Sequence, residues 1–203
     1  MKIILVRHGE SVGNFENRLQ GQADYDLTDL GRKQAMLTAD RLHRLGTAAV
    51  YSSHLLRAHA TARTIGDRLS LTPVVTEDVS EYHFGEMSGA TYAEIREKFG
   101  AIANPAERVY PGEEGRDAFF ERVTGALLRI AESHADENVA VVSHGGPIAL
   151  FCQHVLGLPY RRPMPFSIDN CSLSVVDVRP GDDGPQGLSL VRLNDTCHLI
   201  GLT

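Results

Sequence analysis

Apolar residues along the chain follow two alternating rhythms, short unbroken runs and stripes at helical spacing. The runs Ile3-Ile4-Leu5-Val6 and Val139-Ala140-Val141-Val142 have the length of buried strands and are too short for helices. Ala49-Val50-Tyr51 and Pro73-Val74-Val75-Thr76 predict two further strands. Thr28 is placed to cap a helix whose stripe is Ala35, Ala39, Leu42 and Leu45, with Gly46 as its stop. A second helix is expected from Leu55 to Leu69 along Ala58, Ala62, Ile65 and Leu69, and a third along Phe119, Val123, Leu127 and Ile130. A fourth is expected from Pro147 to about Leu156, since proline is preorganised for a first helical turn. Leu173 to Val176 and Leu188 to Leu193 read as hairpin arms joined through Pro180 to Gly187. Strands alternating with helices predict an α/β fold, a three-layer α/β/α sandwich with a mostly parallel sheet and an antiparallel edge strand.

The rhythm weakens between Asp78 and Gly115. Gly85, Gly89, Gly100, Pro105, Pro111 and Gly112 punctuate that stretch and leave one short helix, Tyr92 to Phe99. A single domain over residues 1–203 is expected, with residues 78–115 as a loop-rich lid, because long irregular excursions in compact domains usually carry function.

Composition narrows the classes. Apolar residues at 42% and charged residues at 23% are those of a globular chain, and the net charge of −6 argues against a nonspecific nucleic-acid binder. Any affinity for phosphate must therefore be local. The apolar N-terminal run is cut off by Arg7 and His8 before it reaches signal-peptide length, and no span approaches transmembrane length. Cys152, Cys171 and Cys197 are odd in number and contain no C-x-x-C pair, so neither a disulfide framework nor a zinc site is expected. The expected setting is the cytoplasm, with no membrane or nucleic-acid partner. A homodimer through an edge strand or helix is compatible with this fold.

The candidate chemistry lies at the ends of the two apolar runs. Arg7-His8-Gly9-Glu10-Ser11 follows the first, and His144-Gly145-Gly146 follows the second. Ligands of open α/β sheets bind beyond the carboxyl ends of the strands, and a glycine after each histidine lets backbone approach a bound group. Arg57 follows Ser52-Ser53 just past the Tyr51 strand, so one sheet edge can collect Arg7, His8, Arg57 and His144. Planar guanidinium groups bind phosphate oxygens bidentately, and two of them with a histidine can neutralise a dianion while leaving phosphorus open to attack. His8 is the natural nucleophile. A neutral imidazole can displace an alkoxide to form a phosphohistidine, and the departing alkoxide then needs a carboxylic acid near by.

Other motifs compete less well. Gly9-Glu10-Ser11-Val12-Gly13 fits the G-x-S-x-G elbow of serine hydrolases, but it follows only one strand, and His-Gly-Gly comes far downstream instead of before it. His54 and His59 stand five apart, off the spacing that puts two metal ligands on one helical face, so no metal and no cofactor are expected. Tyr51, Tyr82, Tyr92 and Tyr110 lie in different elements and are expected to pack, as are Phe119 and Phe120.

Taken together, these blocks resemble the histidine phosphatase superfamily, the phosphoglycerate-mutase-like family. Arg7 to Ser11 with Asn14 matches its signature, and Asn17-Arg18 through Gly21 its next segment. Asp24, Leu27-Thr28, Gly31 and Gln34-Ala35 follow, except that Asp26 stands where proline is usual. Ser52-Ser53, Leu56-Arg57-Ala58 and Thr61-Ala62, then Glu81 with Phe84-Gly85 and Gly89, then Ser143 to Gly146, and finally Asn170-Cys171-Ser172 complete the likeness. The resemblance implies that His8 is the nucleophile, Glu81 the proton donor, and Arg7, Arg57 and His144 the phosphate clamp. It further implies that Asn14, Arg18, Ser11, Gly21 and Gly145 line the phosphate or substrate site. His83, two residues past Glu81, is expected to meet a substrate carboxylate, as in phosphoserine or a phosphoglycerate.

Two departures bear on the pocket. Phe84-Gly85-Glu86-Met87-Ser88-Gly89 stands where many relatives read F-G-x-W-E-G, and the chain has no Trp. Pro111-Gly112-Glu113-Glu114-Gly115 stands where P-G-G-E-S is usual, with Glu114 in the glutamate's place. Glu81 and Ser143 are 62 positions apart, shorter than in cofactor-dependent mutases. The expected activity is therefore a metal-independent phosphomonoesterase acting on a small phosphorylated metabolite. A phosphoglycerate mutase is the alternative, and a non-catalytic phosphate-binding protein a third.

Overall fold

The computed structural model describes residues 1–100, 109–134, 136–159, 165–181 and 184–202. Along the chain run β1 (Lys2–Arg7), α1 (Val12–Phe15), α2 (Asp29–Arg44), β2 (Thr47–Ser52), α3 (Leu56–Leu69) and β3 (Val74–Val75). After these come α4 (Tyr92–Phe99), α5 (Arg116–Glu132), β4 (Asn138–Ser143), α6 (Gly145–Val155), β5 (Leu173–Gly181) and β6 (Gly184–Asp195). The strands form one sheet in the order β3-β2-β4-β1-β5-β6. The first four are parallel, β5 is antiparallel to β1, and β6 is antiparallel to β5.

Period-two alternation in β1 and β4 produces the layers. Ile3, Leu5, Val139 and Val141 face a core that takes in Phe119, Val123 and Leu127 of α5 and Ile148 and Phe151 of α6. Ile4, Val6, Ala140 and Val142 face the opposite core, built with Ala39 and Leu42 of α2 and Ala58, Ala62 and Ile65 of α3. This is the expected α/β/α arrangement. The small alanines of α2 and α3 let those helices pack closely on each other and on the sheet. Burying each of the large side chains is worth about 1.5–3 kcal/mol.

Local signals fixed most boundaries. The Thr28 hydroxyl accepts from the Gly31 amide at 3.0 Å and caps α2 as expected. Thr91 and Glu94 form a capping box that starts α4 at Tyr92. Two boundaries moved. α6 begins at Gly145, so Pro147 is its third residue; the first four helical amides have no intrahelical acceptor, so proline costs nothing there either. The hairpin arms extend to Gly181 and from Gly184, so most of the region read as a turn is strand. Pro180 and Pro185 pair beyond the stretch of β5 that β1 covers, next to a register irregularity at Arg179/Pro180, the kind of place where a strand tolerates proline. Pro105 of the expected lid lies outside the described residues. Phe119 is buried as expected, Phe120 only partly. No helix among the described residues is long and apolar enough to cross a membrane.

Candidate active site

Strand register brings the two histidines together. β1 and β4 run parallel with Arg7 opposite Ser143, so the next residues, His8 and His144, leave the sheet side by side. The His8 amide donates to the Ser143 carbonyl at 3.0 Å, and the two rings lie 5.1 Å apart. Both side chains are buried. The turn after β1 is held from behind: the Cys171 amide donates to the Arg7 and His8 carbonyls, and Asn170 Nδ2 donates to the His8 carbonyl at 2.9 Å. Burial pushes the Cys171 thiol up to about 12, which keeps it a packing group.

The hydrogen bonds of His8 select its tautomer. Nδ1 faces the Gly9 carbonyl at 2.7 Å and must carry the proton, whereas Nε2 receives the Arg57 Nε hydrogen at 3.2 Å and must present its lone pair. Burial, reinforced by Arg57 and Arg7, holds His8 well below the ordinary histidine range, so the ring is neutral at physiological pH. His144 is lowered for the same first cause, with Arg57 and His8 next. Its Nε2 meets the Ser53 hydroxyl at 2.9 Å.

Arg57, in the first turn of α3, is wholly buried. Its Nη1 donates to the Ala23 carbonyl at 2.9 Å and its Nη2 to the Gly21 carbonyl at 2.7 Å. Burial lowers it to about 10, with Glu81 pulling the other way. Burial lowers Arg7 as well, again against Glu81. Arg7 donates through Nη1 to the Ile168 carbonyl. Its Nε and the Nδ1 of His144 are buried with no hydrogen-bond partner among the described residues. Leaving a buried polar group unpaired costs about 1–3 kcal/mol, and an anion set between these nitrogens would remove that cost. Gly145 borders this space, since a Cβ there would meet only Arg7 Nε, at 4.0 Å.

Glu81 stands on the chain just after a 3₁₀ turn, Glu77–Val79. Burial alternates from Ser80 to Phe84: Ser80, Tyr82 and Phe84 turn inward, and Glu81 and His83 stay partly open on the other side. Oε1 accepts from the Tyr82 amide at 2.9 Å and Oε2 from the Gly146 amide at 3.2 Å. A Cβ on residue 146 would stand 2.1 Å from Glu81 Oε1, so the second glycine of His-Gly-Gly exists to seat the carboxylate. Gly9 also serves the scaffold. Its amide donates to Thr61 at 3.0 Å, and a Cβ there would come within 2.5 Å of the Gly31 carbonyl. Of the glycines that follow the two histidines, only Gly145 leaves room beside the clamp.

The remaining expected residues divide by what their polar groups do. Asn14 Oδ1 accepts from the Ser11 amide at 3.2 Å, its hydroxyl at 2.9 Å and Asn170 Nδ2 at 3.2 Å, which leaves the Asn14 amide nitrogen for a ligand. Ser11 is fully buried, caps α1 and bonds Gln20 at 2.8 Å, so its hydroxyl orients Asn14 instead of facing a pocket. Gly21, at φ +51°, serves through its carbonyl on Arg57. Arg18 is tied to Glu16 at 2.6 Å and to the Gly89 carbonyl at 2.9 Å. The His83 ring accepts the Gly85 amide on Nδ1 at 3.0 Å, which leaves Nε2 as a donor.

Two neighbours of the site were not singled out from the sequence. Gln22 Nε2 donates to the Glu81 carbonyl at 3.1 Å. Tyr92, expected to pack, is 40% exposed and lies within the fields of Arg7 and Glu81, with burial pushing its hydroxyl above the ordinary tyrosine range. The Tyr92 amide donates to the Asn17 carbonyl at 3.3 Å, which couples the start of α4 to the segment after the Arg-His-Gly motif. Among the described residues, no group of three or more His, Cys, Asp or Glu side chains is arranged to hold a metal ion.

A profile described as the histidine phosphatase superfamily (branch 1) matches residues 3–196. The chain belongs to the histidine phosphatase superfamily. Phosphoserine phosphatase 1 of Hydrogenobacter thermophilus is 34% identical, over 98% of this chain and 94% of the relative. A probable phosphoglycerate mutase of Yersinia pestis is 31% identical over 98% of this chain and 95% of its own length. The solved mycobacterial glucosyl-3-phosphoglycerate phosphatase superposes with a TM-score of 0.82 at 28% identity, over 95% of this chain and 98% of that one. The sheet order and the paired strand-end histidines are thus features of a branch 1 histidine phosphatase.

Proposed function

We propose that this histidine phosphatase hydrolyses a small phosphate monoester, without a metal, through a phosphohistidine on His8. The observation that carries this reading is the neutral His8 ring, held with its Nε2 lone pair among two buried guanidinium groups. In the first step Nε2 attacks phosphorus, the P–O ester bond breaks, and the leaving oxygen takes its electron pair together with the proton of Glu81. Nδ1 keeps its proton on the Gly9 carbonyl throughout. In the second step water attacks phosphorus, the P–N pair returns to Nε2, and the water's proton goes to the Glu81 carboxylate. Arg7, Arg57 and His144 offset the charge on the transferring group, and the Asn14 amide adds a donor.

A substrate carboxylate fits the same cleft. His83 shares the open side of its segment with Glu81 and keeps Nε2–H as a donor, and a 34% identical relative is named a phosphoserine phosphatase. His83→Ala should raise KM for phosphoserine more than for p-nitrophenyl phosphate; equal rises would remove the idea. The test of the main reading is phosphate release in EDTA from phosphoserine, 3-phosphoglycerate, sugar phosphates and p-nitrophenyl phosphate, with His8→Ala alongside. Turnover that needs His8 and no metal is expected, and turnover unaffected by His8→Ala would overturn the reading. The mutase reading is favoured by the relative named as a probable mutase. Isomerisation of 3-phosphoglycerate outpacing its hydrolysis would select it.

A further inference from the structure

Glu81 has little secondary structure to hold it. It lies between a three-residue 3₁₀ turn, Glu77–Val79, and another at Gly85–Met87, and the segment from Ser80 to Phe84 belongs to no helix or strand. The side chains of Val79 and Tyr82 are buried and anchor the segment to the core, and Ser143 donates to the Val79 carbonyl at 2.6 Å. These contacts keep the loop on the protein. They leave the turn of the backbone between Ser80 and His83 to polar contacts, of which Gln22 on the Glu81 carbonyl at 3.1 Å is one, and that turn decides where the Glu81 carboxyl points.

One ion pair reaches both sides of the turn. Arg122, on α5 three residues beyond the buried Phe119, donates through Nη1 to the carbonyls of Asp78 at 3.0 Å and Ser80 at 3.1 Å. Its Nε and Nη2 meet the carboxylate of Glu114 at 2.8–3.1 Å in a fork geometry. The same carboxylate accepts the His83 amide at 2.9 Å, and the Glu114 amide donates back to the His83 carbonyl at 3.2 Å. The two side chains are only 20% and 17% exposed, so the pair is largely shielded from water. Glu81 thus sits between a residue gripped by Arg122 and a residue gripped by Glu114, with the two grips joined to each other.

We infer that the Arg122–Glu114 pair is a positioning device for Glu81, setting the proton donor of the phosphatase reaction by holding the backbone on either side of it. The inference rests on the phosphohistidine reading above. Neither residue touches the reacting atoms. The role requires the planar fork of arginine, since lysine offers a single ammonium and cannot span two carbonyls and a bidentate carboxylate together. It also requires a carboxylate at 114, because an amide would turn N–H groups toward the guanidinium.

A misplaced acid has a kinetic signature that a loosened fold lacks. An alkoxide leaving group needs its proton during P–O cleavage, whereas p-nitrophenolate departs without one. The experiment is kcat/KM, which reports the first irreversible step, for a sugar phosphate, an alkyl ester with no carboxylate for His83 to meet, and for p-nitrophenyl phosphate, with native protein, Arg122→Lys and Glu114→Gln. Circular dichroism on each variant checks folding. We expect kcat/KM for the sugar phosphate to fall about tenfold or more in both variants and that for p-nitrophenyl phosphate to fall less than threefold, the split expected when general acid catalysis is impaired. Equal losses on both substrates, or no loss on either, overturn the inference. Glu114→Asp, which shortens the reach by one methylene, gives the same comparison if either of the other variants fails to fold. His8→Ala separates the two levels of argument. If native turnover does not depend on His8, the underlying reaction is wrong; if it does and the leaving-group split is missing, only the positioning role is wrong.

Discussion

The two halves of the site are held in different ways. The histidine half hangs from adjacent parallel strands: once Arg7 pairs with Ser143, the places of His8 and His144 follow from backbone hydrogen bonds between two buried central strands. The Glu81 half is an irregular segment whose direction is set by the side chains of Glu114 and Arg122 from one side and of Gln22 from the other, with the Gly146 amide donating to the carboxylate. A ladder shares its load among many equivalent bonds, while a side-chain bracket concentrates it in a few. Damage to the first half should therefore abolish turnover on every substrate, and damage to the second should change which substrates turn over.

The largest effect expected from this contrast is that of His8→Ala, which should take phosphate release to the buffer background for aryl and alkyl esters alike. Next is Gly146→Ala. A methyl group there displaces the Glu81 carboxylate, whose atoms are its three nearest neighbours, and alanine is the better helix former by roughly 1 kcal/mol. Thermal unfolding should stay level or rise, while kcat/KM on alkyl phosphates falls about 10²-fold, the low end of what a positioned acid contributes. Parallel losses of stability and activity would contradict the assignment of that glycine.

Acid should act more gently, and on the first half. His8 and His144 are kept neutral by burial in the folded protein, whereas the unfolded chain binds their protons near the ordinary histidine value of about 6.5. Their contribution to stability is thus complete above that pH and is lost as pH falls from it toward the depressed folded values. Urea midpoints should hold from pH 8 to 7 and decline below about 6.5, with kcat/KM persisting to lower pH than an ordinary histidine would allow. The smallest effect is Thr28→Ala, which removes the α2 cap, far from the acid loop. It should cost about 1 kcal/mol in chemical denaturation and leave the ratio of alkyl to aryl activity unchanged.

The same contrast governed what could be read from the sequence. Buried runs, helical stripes and the Thr28 cap report local, periodic causes, and the sheet layers with their strand-end histidines followed from them. Glu81 was reached only through its resemblance to a family block, because nothing periodic surrounds it. Gly146 was given no role of its own, since its constraint comes from a carboxylate 65 positions away. Ser11 was read as facing phosphate because the motif places it beside His8, whereas the four-residue α1 turns its hydroxyl inward as a cap. Tyr92 and Gln22 carry no pattern that separates a pocket wall from ordinary packing.

The two guanidinium groups buried beside uncharged histidines also have a thermodynamic consequence. Arg7 and Arg57 are both depressed by burial, and the Glu81 carboxylate offsets part of that in each. An anion that binds there joins only the folded chain, so inorganic phosphate, the product of the proposed reaction, acts as a mass-action stabiliser of the fold. At a hundred times its dissociation constant it would contribute about 2.7 kcal/mol. On the proposed reaction, the same buried cations would tie the protein's resistance to unfolding to the phosphate concentration around it.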